Sequence, residues 1–349
     1  MAWQVIGHSK AIELLDNSLK GGRLSHAYLF VGPAHVGKMT LALNLAQALN
    51  CEAQDPPCGE CQACRRIEAG KHADVQVIGL TADRNAAGRL RTEISIDQIR
   101  ELQHTASLPP YEGRKKVFII DGAECLNMEA ANCLLKTLEE PPPYVLLILL
   151  AVNDRVLLPT IVSRCQRIEL GPLSCDLVER TLIEREGIAP EKARVLARLC
   201  GGGIGWAFSA SAEERLLQEH AERATELLDF LTVSFEERFA YAAQLASQFG
   251  RNRQAVTEVL DLWLSLWRDL LFIRVGCADL ITNIDCQERL LQLAQSYSLM
   301  QIVGFIGSIR AARWQLERNA NPRLALEVLM LDIPNKEGLK EVSREVARV

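Results

Sequence analysis

Along the first half of the chain, short continuous apolar runs alternate with stretches of helical period. The runs are Ala27-Tyr28-Leu29-Phe30-Val31, Val75-Gln76-Val77-Ile78, Val117-Phe118-Ile119-Ile120 and the segment from Val145 to Ala151. Each is bounded by turn residues and separated from the next by helix-like sequence, the pattern of strands buried on both faces of a parallel sheet. After the first run, Leu41, Leu45 and Leu49 mark one face of an amphipathic helix. Ser95 and Gln98 stand at capping-box spacing and predict a helix start. The polar stretch from Thr81 to Thr92 reads as a loop. From about Leu170 the pattern is helical nearly to the end. There Trp263, Trp267 and Trp314 fall in helical register with Leu260, Leu264, Leu271 and Ile309, which predicts core packing in a bundle. The fold class is therefore α/β with a parallel sheet, followed by all-α sequence.

At 349 residues the chain has room for two or three domains. Hydrophobic residues at 48% and charged residues at 24% exclude a disordered or fibrous chain. Lys and Arg total 39 against 44 Asp and Glu, a net charge of −5. That balance argues against a free-standing binder of duplex DNA, so any nucleic-acid contact belongs to a local patch or to an assembly. The longest uninterrupted apolar run, Tyr144 to Val152, has nine residues, short of a membrane span. The first residues show no basic-then-apolar export pattern, and a cytosolic (cytoplasmic) protein is expected.

Reducing conditions change the meaning of the eleven cysteines. Seven are scattered and read as small buried side chains. Cys51, Cys58, Cys61 and Cys64 fall within fourteen residues as C-x6-C-x2-C-x2-C. Four thiolates give Zn2+ a closed tetrahedral site with no open position, so the expected metal role is structural. An iron–sulfur centre is the alternative for such a set. His72 stands nearby, but four thiols already complete a coordination sphere.

The first strand leads directly into Gly32-Pro33-Ala34-His35-Val36-Gly37-Lys38-Met39-Thr40 and a helix. This is G-x4-G-K in strand–loop–helix context. Backbone N–H groups curl round a phosphate, the helix N-terminus adds its dipole, and Lys38 supplies a point charge. Met39 occupies the position where a Ser or Thr hydroxyl holds Mg2+, and Thr40 lies about 100° further round the helix. The third strand delivers Asp121 at its C-terminal end, where an acid approaches the metal. The residue that should then be a water-polarising Glu is Gly122; Glu124 is expected on the following helix. Nucleotide, ATP or ADP, is expected to bind here without hydrolysis.

Leu134-Leu135-Lys136-Thr137-Leu138-Glu139-Glu140-Pro141-Pro142, followed by Leu158-Pro159-Thr160-Ile161-Val162-Ser163-Arg164-Cys165, resembles the bacterial sliding-clamp loader, the AAA+ complex of DNA polymerase III. The cysteine insertion, the Arg23-to-Phe30 segment and Asn321-Pro322-Arg323-Leu324-Ala325-Leu326-Glu327 are similar to that family too, so the resemblance covers almost the whole chain. It implies that Arg164 of the Ser-Arg-Cys run acts in trans, as an arginine finger on ATP held by a neighbouring subunit. It implies a zinc module for the cysteines. The division expected is an AAA+ P-loop domain at 1–168 with the zinc module at about 50–66, a helical lid at 169–210 and a collar at 211–349. Gly205 stands where a motor subunit of tau/gamma type would carry a sensor Arg. With Met39 and Gly122, that points to the inert stator of the loader. The implied partners are tau/gamma and delta subunits in a hetero-pentamer, with the sliding clamp and primed DNA reached through the complex. The alternatives are an active tau/gamma-type ATPase and, from another class, a free-standing zinc-bearing DNA-binding protein.

Overall fold

The four apolar runs form strands where the pattern places them, in a computed structural model that describes residues 3–80, 93–318 and 320–334. The expected Thr81–Thr92 loop and the end of the expected collar lie outside the described residues. The first elements are α1 (Ser9–Lys20), β1 (Ala27–Val31), α2 (Lys38–Asn50), α3 (Gln62–Glu68), β2 (Val75–Ile78) and α4 (Ile96–Ser107). Then come β3 (Lys116–Asp121), α5 (Met128–Glu139), β4 (Val145–Ala151), α6 (Pro159–Val162) and β5 (Gln166–Glu169). The strands form one parallel sheet in the order β2-β3-β4-β1-β5, with Leu29 opposite Leu149 and Ile119 opposite Ile148. β5 was not legible in the pattern, because Ile168 is its only apolar residue; as an edge strand it buries that side chain alone.

Alternate residues of each central strand serve opposite faces. Leu29, Phe118, Ile120, Leu147 and Leu149 pack with Ile99 and Leu102 of α4 and Leu134 and Leu138 of α5. Tyr28, Phe30, Ile119, Ile148 and Leu150 pack with Leu15 of α1, Leu41 and Leu45 of α2 and Ile67 of α3. A sheet covered on both sides explains why its strands read as unbroken apolar runs. The capping box is present: Ser95 N–H donates to Gln98 Oε1 at 3.0 Å.

Two compact units divide the chain: residues up to Leu177 with Gly202–Gly205, and Val178–Gly201 with residues from Trp206 onward. α7 (Cys175–Glu186) begins in the first and continues in the second. The second also holds α8 (Pro190–Leu199), most of α9 (Ile204–Ala212), α10 (Glu214–Asp229), α11 (Phe235–Phe249) and α12 (Arg253–Arg274). It ends with α13 (Gln287–Ala294), α14 (Leu299–Glu317) and α15 (Pro322–Leu331). Its core is built round Trp263, Trp267, Tyr297 and Phe305. Trp314 departs from the expected core role. It is 55% exposed, with the Arg318 guanidinium 4.3 Å above its ring, because it lies on the face of α14 opposite Phe305 and Ile309. Among the described residues no helix is long and apolar enough to cross a membrane.

Candidate functional site

The phosphate loop links β1 to α2 at the carboxyl edge of the sheet, where open α/β folds take ligands. Gly32 is required by close approach: a Cβ there would sit 2.1 Å from the Leu170 carbonyl oxygen after β5. Four loop carbonyls are engaged. Lys38 Nζ donates to those of Gly32 and Pro33, each at 2.6 Å. His8 Nε2 donates to Val36 O at 3.0 Å, and Gly205 N–H to His35 O at 2.9 Å. Gly205 thus lies with its backbone against the loop.

Met39 does more than lack a hydroxyl. Its side chain packs on the apolar cluster formed by α1, α2 and that face of the sheet. Thr40 follows it in the first turn of α2, half-buried. Asp121 is exposed at the end of β3. Gly122 adopts φ +73°, a left-handed conformation that disfavours any L side chain, so a glutamate there would be strained by ~1 kcal/mol or more. The chain does not run straight into a helix at Glu124, as the sequence suggested, but through a 3-10 turn, Ala123–Cys125. That turn brings Glu124 to the site. Its Oε1 accepts the Val152 N–H at 3.2 Å past the end of β4, and its Oε2 is buried without a partner among the described residues. Burial raises the Glu124 carboxyl above the ordinary glutamate value; the charge of Lys38 opposes this and that of Asp121 adds to it. Burial likewise lowers the Lys38 ammonium, against the pull of Glu124 and Asp121.

Arg164 follows α6 at the head of β5. Its Nη2 lies 2.8 Å from Glu139 Oε1 and its Nη1 donates to the Thr160 carbonyl at 3.0 Å. The side chain is 36% exposed. The guanidinium is thus partly accessible, beside the edge strand β5.

The Sγ atoms of Cys51, Cys58, Cys61 and Cys64 lie within 4.8 Å of one another. The Cys58–Cys64 and Cys51–Cys61 separations are both 4.0 Å, close to the ~3.8 Å edge of a thiolate tetrahedron around a metal at 2.3 Å. Backbone N–H groups support the sulfurs: Cys61 N–H donates to Cys58 Sγ at 3.3 Å and Cys64 N–H to Cys61 Sγ at 3.5 Å. The N–H groups of Cys61 and Glu60 pull the Cys58 thiol down to about 6, whereas burial pushes Cys51 and Cys64 up. Two buried thiols beside two others ionise together only with a cation among them, so the donor set fits one metal ion.

The buried amides that lead into this module, one of which holds it directly, are not marked by any motif. Asn44, Gln47 and Asn50 recur every three residues on α2 and are all buried. Asn44 Oδ1 accepts from Gln4 and Val5 N–H, Gln47 Nε2 donates to Cys64 O, and Asn50 Oδ1 accepts from Arg114 and Lys115 N–H. Three amides at that spacing just before Cys51 were the available signal. His72 is buried next to them with its Nδ1 accepting the Asp74 N–H, which makes it a structural histidine.

Asp74 completes the support. Its carboxylate accepts N–H bonds from Tyr111, Glu112 and Gly113 at 2.7–2.8 Å. Burial alone would raise its pKa, but the three donors, with Lys116, leave it lowered. A carboxyl lowered by folding contributes stability that is full above the unfolded aspartate value, near 4, and is lost as pH falls below it. Asp74→Ala is accordingly expected to cost ~2–4 kcal/mol, since three buried donors lose a charged acceptor. Denaturant unfolding at pH 7 checks this. The gap between wild type and variant should narrow on acidification below about pH 4; a constant gap would contradict the assignment.

Comparison with known proteins finds relatives by sequence along most of the chain. The family profile described as DNA polymerase III, delta subunit, matches residues 7–174, and that for the C-terminal part of the delta subunit matches 218–334. DNA polymerase III subunit delta-prime of Bacillus subtilis (strain 168) is 31% identical over 326 residues, covering 92% of this chain and 94% of that protein. DNA polymerase III subunit tau of Escherichia coli (strain K12) is 37% identical over 212 residues, 59% of this chain and 31% of that protein. Among solved structures, a gamma-subunit-related protein from Thermotoga maritima is 20% identical with a TM-score of 0.42, covering 91% of this chain and 98% of that one.

Proposed function

This chain belongs to the DNA polymerase III delta-prime family, and we propose that it acts as the stator of the sliding-clamp loader, assisting ATP-driven placement of the clamp on primed DNA. The observation that carries the reading is the phosphate loop with its catalytic parts replaced. Met39 is committed to apolar packing where the metal hydroxyl would stand, and Gly122 has a backbone unsuited to glutamate. Gly32, Gly37, Lys38, Thr40 and Asp121 remain as a degenerate site for ATP or ADP. There Lys38 would exchange two loop carbonyls for phosphate oxygens. Glu124 does not stand in for the missing glutamate: it lies two residues further on, in the 3-10 turn, and its Oε1 is taken by the Val152 N–H.

In this reading catalysis is supplied outward. Arg164, at the sheet edge, serves ATP bound on a neighbouring tau/gamma-type subunit. Cys51, Cys58, Cys61 and Cys64 hold one structural Zn2+. A multi-iron cluster fits less well, because its thiolates would bind separate irons and stand further apart than 4.8 Å allows. The proposed division is P-loop domain, lid and collar, at 1–168, 169–210 and 211–349. Collar assembly with tau/gamma and delta subunits in a hetero-pentamer is supported by α14. Opposite its buried face it exposes Met300, Val303 and Trp314, beside an open groove of about 260 Å³ along Gly304, Gly307 and Ala311. Such a subunit works in the cytoplasm and reaches clamp and DNA through the complex.

The purified chain alone should turn over no ATP, yet co-purify with tau/gamma-type and delta subunits in a complex that does. Turnover by the single chain at a motor-like rate, on the order of 1 per second, would transfer the assignment to an active tau/gamma-type ATPase.

A further inference from the structure

Arg164 is held from two sides, and the two holds differ in kind. Thr160, whose carbonyl accepts from Nη1, lies one turn upstream in α6 and moves with the arginine. Glu139, whose Oε1 is 2.8 Å from Nη2, is the last residue of α5 and reaches Arg164 from a separate element. At 36% and 50% side-chain exposure the two partners form a surface pair, of the kind that contributes little to stability. What it does fix is direction. Of the five guanidinium N–H donors these contacts use two, leaving three for another acceptor. A long arginine tethered only by its own turn would sample many rotamers before meeting a phosphate, and alignment within about 1 Å decides how well a transferring group is served.

We infer that Glu139 is a positioning residue for Arg164, holding the guanidinium in the plane in which it meets the γ-phosphate of the neighbouring subunit's nucleotide. This rests on the trans-acting reading of Arg164. Because Glu139 ends the helix that follows the Asp121–Glu124 segment, the finger is oriented by the body of the P-loop domain rather than by its own loop.

The test is a double-mutant cycle in the reconstituted loader, with ATP turnover measured at saturating clamp and primed DNA. The difference between the wild-type and Arg164→Ala complexes defines the Arg164-dependent turnover. Glu139→Ala should reduce that part roughly tenfold in kcat, with KM for ATP and complex assembly unchanged. Glu139→Gln, which still accepts from Nη2, should recover most of it. The double variant should be no slower than Arg164→Ala alone, since the glutamate has nothing left to orient. If Arg164→Ala slows the loader while Glu139→Ala leaves it unchanged or faster, the positioning role is wrong and the finger stands. If Arg164→Ala itself changes nothing, the trans-acting reading fails and the role of Glu139 falls with it. Unaltered unfolding of isolated Glu139→Ala separates the expected loss from misfolding.

Discussion

Arg164→Ala in an otherwise unaltered loader is expected to cost ~10³–10⁵-fold in ATP turnover at the one site it faces, the range for loss of an arginine finger. Sites served by other subunits keep their own arginines, so total ATPase should fall only in part while clamp loading falls much further. The variant chain itself should stay folded. Its ion pair with Glu139 is a surface pair, and its loss should change stability within ~0.5 kcal/mol. Arg164→Lys should rescue incompletely, because an ammonium cannot reproduce a planar fork whose two nitrogens already meet Glu139 and Thr160. Clamp loading by the assembled complex is the decisive measurement. Unchanged loading and ATPase in an intact complex would remove the trans-acting role.

Loss of the metal should be the largest effect on stability. Protein purified without added zinc should carry about one equivalent, as a closed four-thiolate site requires. Cys61→Ser together with Cys64→Ser should destabilise by more than ~4 kcal/mol, in the range reserved for lost metals and broken buried networks. The consequence spreads because the module is wired into the domain. Cys64 O is held by Gln47, Ile67 of α3 is buried in the sheet's core, and Arg66 pairs with Glu112 on the loop that Asp74 anchors. Metal analysis with thermal unfolding checks both statements. Well-folded protein with less than about a fifth of an equivalent, or a double variant as stable as wild type, would show the cysteines to be ordinary thiols.

Four strands, the phosphate loop and the cysteine spacing were determined by sequence alone, because each depends on neighbours a few residues apart. A strand buried on both faces must be continuously apolar, a phosphate loop needs glycines at fixed offsets, and two short C-x2-C loops converge with little freedom. The edge strand β5 was hidden because one buried residue, Ile168, makes no pattern. Trp314 was misassigned for a related reason: α14 is apolar on two faces, and periodicity cannot say which of them this chain buries. Glu124 sits at the site only because Gly122 turns left-handed and a 3-10 turn follows. The amides of α2, the acceptor role of Asp74 and the Glu139–Arg164 pair were decided by tertiary structure, since each joins segments between 17 and 65 residues apart. A polar side chain looks the same in sequence whether water or a distant backbone satisfies it; only packing, which removes the water, makes the partner obligatory.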